Sequence, residues 1–361
     1  MTGHLHLGVA LDGYGWHPEA WRHTPDGEPV TSGRYWSNLA ATAERGLLDF
    51  VTFDDALTPQ RRRRAEIEPR WLAGRPDAVL IASRVAPATR HIGLIPVATV
   101  THTEPFHVSK AIATLDFVSR GRAGWQVRVS GTPHESELFG RRDISAVDLF
   151  EEASDAVEVA RRLWDSWEDD AVIRDAATGR FIDRDKLHYI DFVGKYFSVK
   201  GPSITPRPPQ GQPVVAALAH ARPAYEFVAR SADLVFITPK DESSLRSILG
   251  EVAHAGGNRL KVYADLFVSF SGITDARSDA LVFDGAPAAL VDLILDWQQA
   301  GIDGIRLRPS VNVTDLPAIV DEVVPILQRA NRFRTAYDDG ETLRHRLGLP
   351  AAENRYTEAS S

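Results

Sequence analysis

Short apolar runs alternate with longer stretches of helical period along this 361-residue chain, and the alternation recurs eight times. Apolar runs bounded by turn residues predict buried strands, whereas apolar residues at helical spacing predict amphipathic helices. Strands separated by helices pair in parallel through right-handed crossovers. The predicted strands are LHLGVAL (5–11), DFVTFDDA (49–56), HIGLIPVATV (91–100), a run within SRGRAGWQVRVSG (119–131), PVVAAL (213–218), DLVFIT (233–238), RLKVYADLFVSF (259–270) and GIRLRP (304–309).

Eight helices in alternation with these strands favour the α/β class and a (β/α)8 TIM barrel, formed by residues 1–350 as a single domain. The alternative is an open doubly wound sheet. That fold requires a glycine-rich phosphate loop after its first strand, and LGVALDGYGWHP (7–18) resembles one only weakly. The predicted helices lie at 37–46, 76–89, 105–121, 147–167, 222–232, 241–256, 287–301 and 316–331.

Residues 168–212 interrupt this rhythm with a segment rich in Asp, Gly and Pro. The segment is far longer than an ordinary connection between elements, which predicts an ordered excursion between helix four and strand five. Insertion segments are expected at the C-terminal face of the barrel. The last residues, AAENRYTEASS (351–361), predict a flexible tail.

Composition excludes several classes of site. The chain has no cysteine, so it forms no disulfide, thiolate metal site, iron–sulfur cluster or cysteine nucleophile. A net charge of −8 argues against a nucleic-acid partner. The basic run RRRR (61–64) precedes Glu66 and Glu68, which favours a solvated or helix-capping loop over a nucleic-acid patch.

The composition, 43% hydrophobic and 25% charged, is typical of a globular protein. No apolar run approaches the about 20 residues that span a bilayer. The first residues, MTGHLHLGVALDGYGW, carry neither a basic segment nor a small-residue cleavage site. A cytoplasmic protein without a membrane partner is therefore predicted.

Polar residues stand where the predicted strands end. In a closed parallel barrel the reaction site lies at the C-terminal ends of the strands, so these residues are candidates for function. The alternative is structural: the two aspartates cap the following helix and the threonine fills a hydrogen bond. The candidates are Asp54, Asp55, Thr99, Thr101, Gln126, Arg128, Ser130 and His220.

Six segments, taken in order, resemble the bacterial luciferase-like flavin monooxygenases, in particular the branch of nitrilotriacetate, EDTA, dibenzothiophene-sulfone and long-chain alkane monooxygenases. The segments span nearly the whole chain. They are LDFVTFDDAL (48–57), THTEPFHVSKAIATLDFVSRGRAGWQV (101–127), LWDSWEDDAVIRDAATGRF (163–181), DKLHYIDFVGKYFSVKGPSITPRPPQGQPVV (185–215), DGIRLRP (303–309) and VVPILQRANRFRTAYDDGETLRHRLGLP (323–350).

The resemblance implies a barrel that binds FMN noncovalently at the strand ends, with the flavin delivered in reduced form by a separate NAD(P)H:flavin reductase. Such an enzyme inserts one oxygen atom from O2 into a small organic substrate and requires no metal. The cavity must keep water away from the flavin, which is how a protein controls cofactor chemistry. Homodimers are common in this family, so a homo-oligomer, dimer or tetramer, is expected.

Position by position, the resemblance places Asp55 close to the flavin ring and Thr99 beneath it. Gln126 matches an amide-bearing residue on strand four, usually Asn, and Ser130 matches a Ser near the flavin tail. The turn ALAHAR (217–222) matches the family's phosphate-binding turn, where backbone N–H groups at a helix start meet the phosphate. The turn residues assigned to the cofactor are Ala219, His220 and Ala221.

The chain departs from the family pattern in a turn and at two replaced residues, which bear on FMN affinity, and in a shortened segment, which bears on how the site is covered. The turn commonly reads Gln-Ala-Gly-x-Ser, and residues 217–221 lack both the glycine and the serine; Arg222 could supply charge instead, or lie on the surface. Val129 replaces a usual Thr and Phe150 a common Tyr. Only residues 271–285 stand where many relatives carry a substantial insertion, so the site is more open or a partner subunit covers it.

Two residues are candidates for catalysis. His134, in the excursion after strand four, is the histidine favoured for contact with substrate over His102, His107 and His220. Arg128 would pair with an anionic substrate if it points into the cavity, and an alternating strand leaves that open. Two other functions stay open: a deazaflavin-dependent oxidoreductase that transfers hydride without oxygen, and a non-catalytic flavin-binding barrel.

Overall fold

The computed structural model describes residues 5–24, 27–60, 68–140, 143–144 and 147–357. Within these residues, eight parallel strands pair in chain order, and the eighth also pairs with the first. This closed barrel confirms the predicted (β/α)8 fold over the open sheet. We number the strands β1 (His6–Leu11), β2 (Phe50–Phe53), β3 (Gly93–Thr99), β4 (Gly124–Arg128), β5 (Val214–Leu218), β6 (Leu234–Ile237), β7 (Lys261–Val268) and β8 (Gly304–Pro309).

A helix follows each strand and packs outside the barrel. Side-chain caps start several of them: Asp77 accepts from the backbone N–H of Leu80, and Asp148 accepts from those of Phe150 and Glu151. The helices are α1 (Gly33–Arg45), α2 (Ala78–Val85), α3 (Pro105–Ser119), α4 (Leu149–Asp165), α5 (Arg222–Ser231), α6 (Glu242–His254), α7 (Pro287–Ala300) and α8 (Asn312–Ala318).

The last predicted helix begins earlier than the sequence indicates. Because proline favours the first turn of a helix, Pro317 supports a start at 316. In the structure α8 begins at Asn312 and holds Pro317 in its interior. The helical path then continues through a wider turn at Ile319–Val323 and through Val324–Arg329.

Residues 168–212 form an excursion that packs along α4. It carries two antiparallel strand pairs, Val172–Asp175 with Arg180–Ile182 and Phe192–Val193 with Ser198–Val199. Its Ile190 and Phe192 pack against Val159 and Leu163 of α4. The excursion, which connects α4 to β5 along the chain, thus packs against α4.

The N-terminal end of the barrel is closed by a short helix, Leu343–Arg346. Leu343 and Leu347 are fully buried among the inward-facing apolar residues of the strands, which include Phe50, Ile95, Val214, Leu234 and Tyr263. Gly93 of β3 makes room for this plug, since a Cβ there would lie 2.5 Å from Leu343 Cδ1. The open end of the barrel is therefore the C-terminal one.

Part of the segment predicted as a flexible tail is packed. The side-chain amide of Asn354 is buried and donates to the carbonyl oxygens of Asp165 and Trp167, at 3.0 and 2.9 Å. Arg355 donates to the Asp165 carboxylate at 3.1 Å. Residues 358–361, like the basic run at 61–64, lie outside the described residues. None of the described helices has the length and apolar character needed to cross a bilayer.

Candidate active site

Four charged side chains form a network at the C-terminal mouth of the barrel. Asp54, just after β2, accepts from Arg128 Nη2 at 2.7 Å and from Arg75 Nη1 at 2.9 Å. Arg75 also donates to Asp12 after β1, at 3.1 Å. Burial opposes ionisation of Asp54, but the two guanidinium groups outweigh it and lower its pKa. The Arg128 side chain therefore points into the barrel, where 26% of it is exposed.

Asp55, which was assigned to the flavin ring, makes hydrogen bonds to the backbone. It accepts from the N–H groups of Ala56 at 2.7 Å and of Ala78, the first residue of α2, at 3.0 Å. These contacts match the structural alternative given above, in which the aspartate caps the following helix. Burial raises the pKa of its carboxyl to about 6, because it disfavours the charged form.

A second polar layer lies inside the barrel, beneath the mouth. Arg306 of β8 donates to both oxygens of Asp265 of β7, at 2.7 and 2.6 Å, and its Nη1 donates to Gln126 Oε1 at 2.7 Å. The guanidinium carbon lies 3.6 Å from the centre of the Phe236 ring. Gln126 is thus buried, and its carbonyl oxygen is already engaged. Thr99 lies one layer higher, opposite Arg128 in the β3–β4 ladder.

This buried layer was missed from the sequence, although a signal was available. Arg306 and Arg308 alternate within GIRLRP, and Asp265 interrupts the apolar run of β7. Residues two apart in a strand share a face, so if one arginine points inward both do, and two buried arginines require a buried anion. Asp265 supplies it, since it pairs with both of them.

Arg308 links this layer to the segment after β7. Its Nη1 donates to Asp279 at 2.5 Å, and its guanidinium lies 4.4 Å from the centre of the Trp16 ring. Burial opposes ionisation of Asp279, but Arg308 prevails and lowers its pKa to about 2. Asp279 therefore carries a negative charge at neutral pH.

His220 extends the chain of contacts to the turn after β5. Its Nδ1 lies 2.9 Å from the Thr238 hydroxyl and its Nε2 lies 3.6 Å from an oxygen of Asp279. Burial lowers the pKa of the His220 ring. The ring is nevertheless 48% exposed at the mouth.

The start of α5 lacks a side-chain cap. Its N-cap is Ala221, and Pro223 in the first turn has no N–H to offer. The N–H of Ala219 donates to the carbonyl of Phe236 at 3.0 Å. Arg222 pairs with Glu226 and is 74% exposed, so it lies on the surface and does not replace the missing serine. The remaining first-turn N–H groups are the donors that this turn offers to an anion.

A short helix that the sequence did not predict, Pro133–Phe139, follows β4 at the mouth. The buried Ser130 hydroxyl donates to Glu135 of this helix. His134 on the same helix has a buried Nε2 with no hydrogen-bond partner in the part of the chain that the structure describes. The described residues contain no group of three or more His, Asp or Glu that could hold a metal ion.

The fold and mouth are those of a barrel enzyme with its site at the strand ends. The family model for luciferase-like monooxygenases matches residues 16–283. The chain belongs to this family of flavin-dependent monooxygenases.

Two relatives place it in the branch named from the sequence, and one solved structure shares its fold. Dibenzothiophene-sulfone monooxygenase of Rhodococcus erythropolis is 33% identical, covering 91% of this chain and 93% of that protein. Nitrilotriacetate monooxygenase component A of Aminobacter aminovorans is 28% identical and covers 99% of both. The crystal structure of long-chain alkane monooxygenase has a TM-score of 0.83 at 24% identity, covers 96% of each chain and supports the fold alone.

The residues at the mouth fit a phosphate-bearing flavin. The uncapped start of α5 and the half-exposed His220 ring provide a place for an anion beside the barrel opening. His134, on the short helix after β4, adds a buried ring nitrogen with no hydrogen-bond partner among the described residues. The N–H of Ala219 and the hydroxyl of Ser130 already donate within the protein. Each would have to leave its present acceptor to contact the flavin.

Proposed function

We propose that this protein is the oxygenase component of a two-component system that uses FMN, reduced by a separate NAD(P)H:flavin reductase, to insert one oxygen atom from O2 into a small organic substrate. The observation that carries this proposal is the uncapped helix start beside His220 at the barrel mouth, in a chain that matches the family along most of its length. Bound reduced flavin supplies the activation of O2.

Different residues of this chain would contact different parts of the cofactor. The phosphate would lie at the start of α5, where the helix dipole and first-turn N–H groups favour an anion, with His220 beside it. Thr99 and Asp55 would face the ring from β3 and β2. Gln126 would act through its amide nitrogen, because Arg306 already occupies its carbonyl oxygen.

Arg128 would bind an anionic substrate. Its carboxylate partner Asp54 also pairs with Arg75, so Asp54 keeps a countercharge when Arg128 engages a second anion. The name of the relative nitrilotriacetate monooxygenase describes a substrate with carboxylate groups, which supports an anion at this position. His134 would contact the substrate from the short helix at the mouth.

A deazaflavin-dependent oxidoreductase is the second candidate. The turn at 217–221 lacks the glycine and serine, and the Ala219 N–H is engaged, so the phosphate contacts of FMN are fewer than the family pattern implies. A deazaflavin would bind at the same strand ends and transfer hydride without consuming oxygen. A barrel that binds flavin without catalysis would show binding but no turnover.

The decisive experiment is an anaerobic titration with reduced FMN, oxidised FMN and reduced deazaflavin, followed by oxygen-electrode measurements with a flavin reductase. We expect the tightest binding for reduced FMN, and oxygen uptake that rises when a carboxylate-bearing organic substrate is present. Preference for deazaflavin would replace the proposal with the second candidate. An Arg128→Met variant should raise KM for an anionic substrate more than it lowers kcat.

A homo-oligomer and a cytoplasmic location belong to the same proposal. The reductase supplies reduced flavin by diffusion or contact, and both proteins must then share a compartment. Sedimentation velocity of the purified chain measures the oligomeric state. A monomer throughout the micromolar range would contradict the expected dimer or tetramer.

A further inference from the structure

Two carboxylates contact the groups that the flavin tail would use. The Ser130 hydroxyl, on a residue only 3% exposed, donates to Glu135. The His220 ring lies 3.6 Å from Asp279. Both carboxylates come from segments outside the strands: Glu135 from the short helix after β4, and Asp279 from the segment after β7.

The two pairs lie at neighbouring strand ends. In the β4–β5 ladder Val127 is opposite Ala217, and Ser130 and His220 each follow three residues later. Adjacent parallel strands that end together bring the residues after them to the same part of the mouth. Glu135 and Asp279 therefore flank one region, the one that holds the uncapped start of α5.

The contact at Ser130 excludes another acceptor. A hydroxyl carries a single proton, so Ser130 cannot donate to the flavin phosphate while it donates to Glu135. A carboxylate that stayed in place would also repel a phosphate a few ångströms away, by about 1–4 kcal/mol at the effective dielectric constants of water and protein surfaces. The phosphate of FMN must therefore displace these carboxylates or bind against their charge.

We propose that Glu135 and Asp279 form an acidic gate over the flavin-phosphate position, and that their side chains must leave Ser130 and His220 before FMN binds there. This inference rests on the proposed function. The gate weakens binding of the phosphate-bearing flavin and leaves a flavin without phosphate largely unaffected. The two carboxylates would thus lower FMN affinity in the resting enzyme.

The test compares FMN with riboflavin, which has the same ring and ribityl chain and no phosphate. Glu135→Gln keeps the size of the side chain and removes its charge. Glu137→Gln is the matched control, because Glu137 lies on the same helix and is exposed. Dissociation constants are measured by quenching of flavin fluorescence for the oxidised forms, and anaerobically by absorbance for the reduced forms.

We expect Glu135→Gln to lower the FMN dissociation constant roughly five- to tenfold, the equivalent of one screened like charge near the phosphate. The riboflavin dissociation constant should change less than about twofold in Glu135→Gln. In Glu137→Gln the dissociation constants of both flavins should equal those of the wild type. Asp279→Asn should also lower the FMN dissociation constant. Its unfolding midpoint is measured in parallel, because Arg308 loses a partner in this variant.

Several outcomes would overturn the gate. Weaker FMN binding in Glu135→Gln would mean that Glu135 orients Ser130 for the flavin. Equal changes for FMN and riboflavin, or equal changes in Glu135→Gln and Glu137→Gln, would remove the link to the phosphate. If the wild-type chain binds neither flavin, the proposed function fails and the gate fails with it; if it binds FMN and Glu135→Gln does not differ, only the gate fails.

Discussion

At the scale of single residues, buried charges at the mouth are held by partners from distant parts of the chain. Asp54 lies between Arg75 and Arg128, and Asp265 lies between Arg306 and Arg308. A buried ion without its partner is costly, so each of these groups depends on the others. The position of Arg128, the proposed substrate contact, therefore depends on Asp54.

Asp54→Asn removes the charge that two guanidinium groups share, and Arg128 then keeps no carboxylate partner in the network. We expect a loss of about 3 kcal/mol in the free energy of unfolding, because breaking a buried pair leaves an uncompensated charge. The control is Asp321→Asn, which breaks an exposed pair with Arg45 and should change stability by less than about 1 kcal/mol. Equal urea midpoints for the two variants would contradict the expectation.

Asp55 should make stability depend on pH. Its pKa is raised to about 6 in the folded state, against about 3.9 in an unfolded chain. The folded state thus binds the proton more tightly, so the contribution of Asp55 is present below pH about 4 and is lost as pH rises through about 6. The stability of Asp55→Asn relative to the wild type should therefore increase across that window. Urea midpoints of both proteins at several pH values from 4 to 7 measure this difference, and a flat or falling difference would refute it.

At the scale of elements, each end of the barrel is completed by a segment that the strand–helix alternation does not include. The helix Leu343–Arg346 closes the N-terminal end, and the buried Arg344 ties it to the excursion by donating to the carbonyl of Gln212 at 2.8 Å. The helix Pro133–Phe139 and the segment 271–285 flank the opposite, functional end. The stability of the barrel and access to its site therefore depend on different segments.

Leu343→Ala should show how much the plug contributes. Leu343 is fully buried in the lower core, so the truncation loses transfer free energy and leaves a cavity, at a cost of about 2–5 kcal/mol. The same substitution at Leu80, which is 69% exposed, should be nearly neutral. Chemical denaturation of both variants followed by circular dichroism provides the comparison. A Leu343→Ala protein as stable as the Leu80→Ala protein would mean that the plug does not support the barrel.

At the scale of the whole molecule, the strand ends of one closed barrel bring β1, β2, β4, β5 and β8 to a single mouth. A ligand bound there contacts several strands at once and should stabilise the folded state of the entire domain. Because the eight strands close into one barrel, we expect it to unfold as one cooperative unit.

FMN should therefore raise the unfolding temperature. At a free concentration of one hundred times its dissociation constant, a ligand specific to the folded state stabilises it by about 2.7 kcal/mol. Adenosine monophosphate, which carries a phosphate and lacks the flavin ring, is the control and should give a much smaller shift at the same concentration. Thermal unfolding followed by circular dichroism measures the shift in unfolding temperature for both ligands. Identical shifts would show that the site recognises phosphate alone.

Much of the fold could be predicted because its signal is local. Every barrel strand was identified from a short apolar run and every barrel helix from its period, and chain order then fixed the pairing. Candidate site residues could be selected where strands end, as with Asp54, Thr99, Arg128, Ser130 and His220, and their roles toward flavin and substrate stay predictions. Arg75, Glu135 and Asp279 come from connecting segments, whose paths no periodicity specifies.

The sequence by itself determined the barrel, its open C-terminal face and the family. The tertiary structure alone decided which polar groups meet: Arg128 with Asp54, Gln126 with Arg306, Ser130 with Glu135 and His220 with Asp279. The reason is physical. Secondary structure follows from interactions within a few residues, whereas the pairing of buried charges follows from the closure of the barrel, which brings distant residues together and requires each buried ion to find a partner.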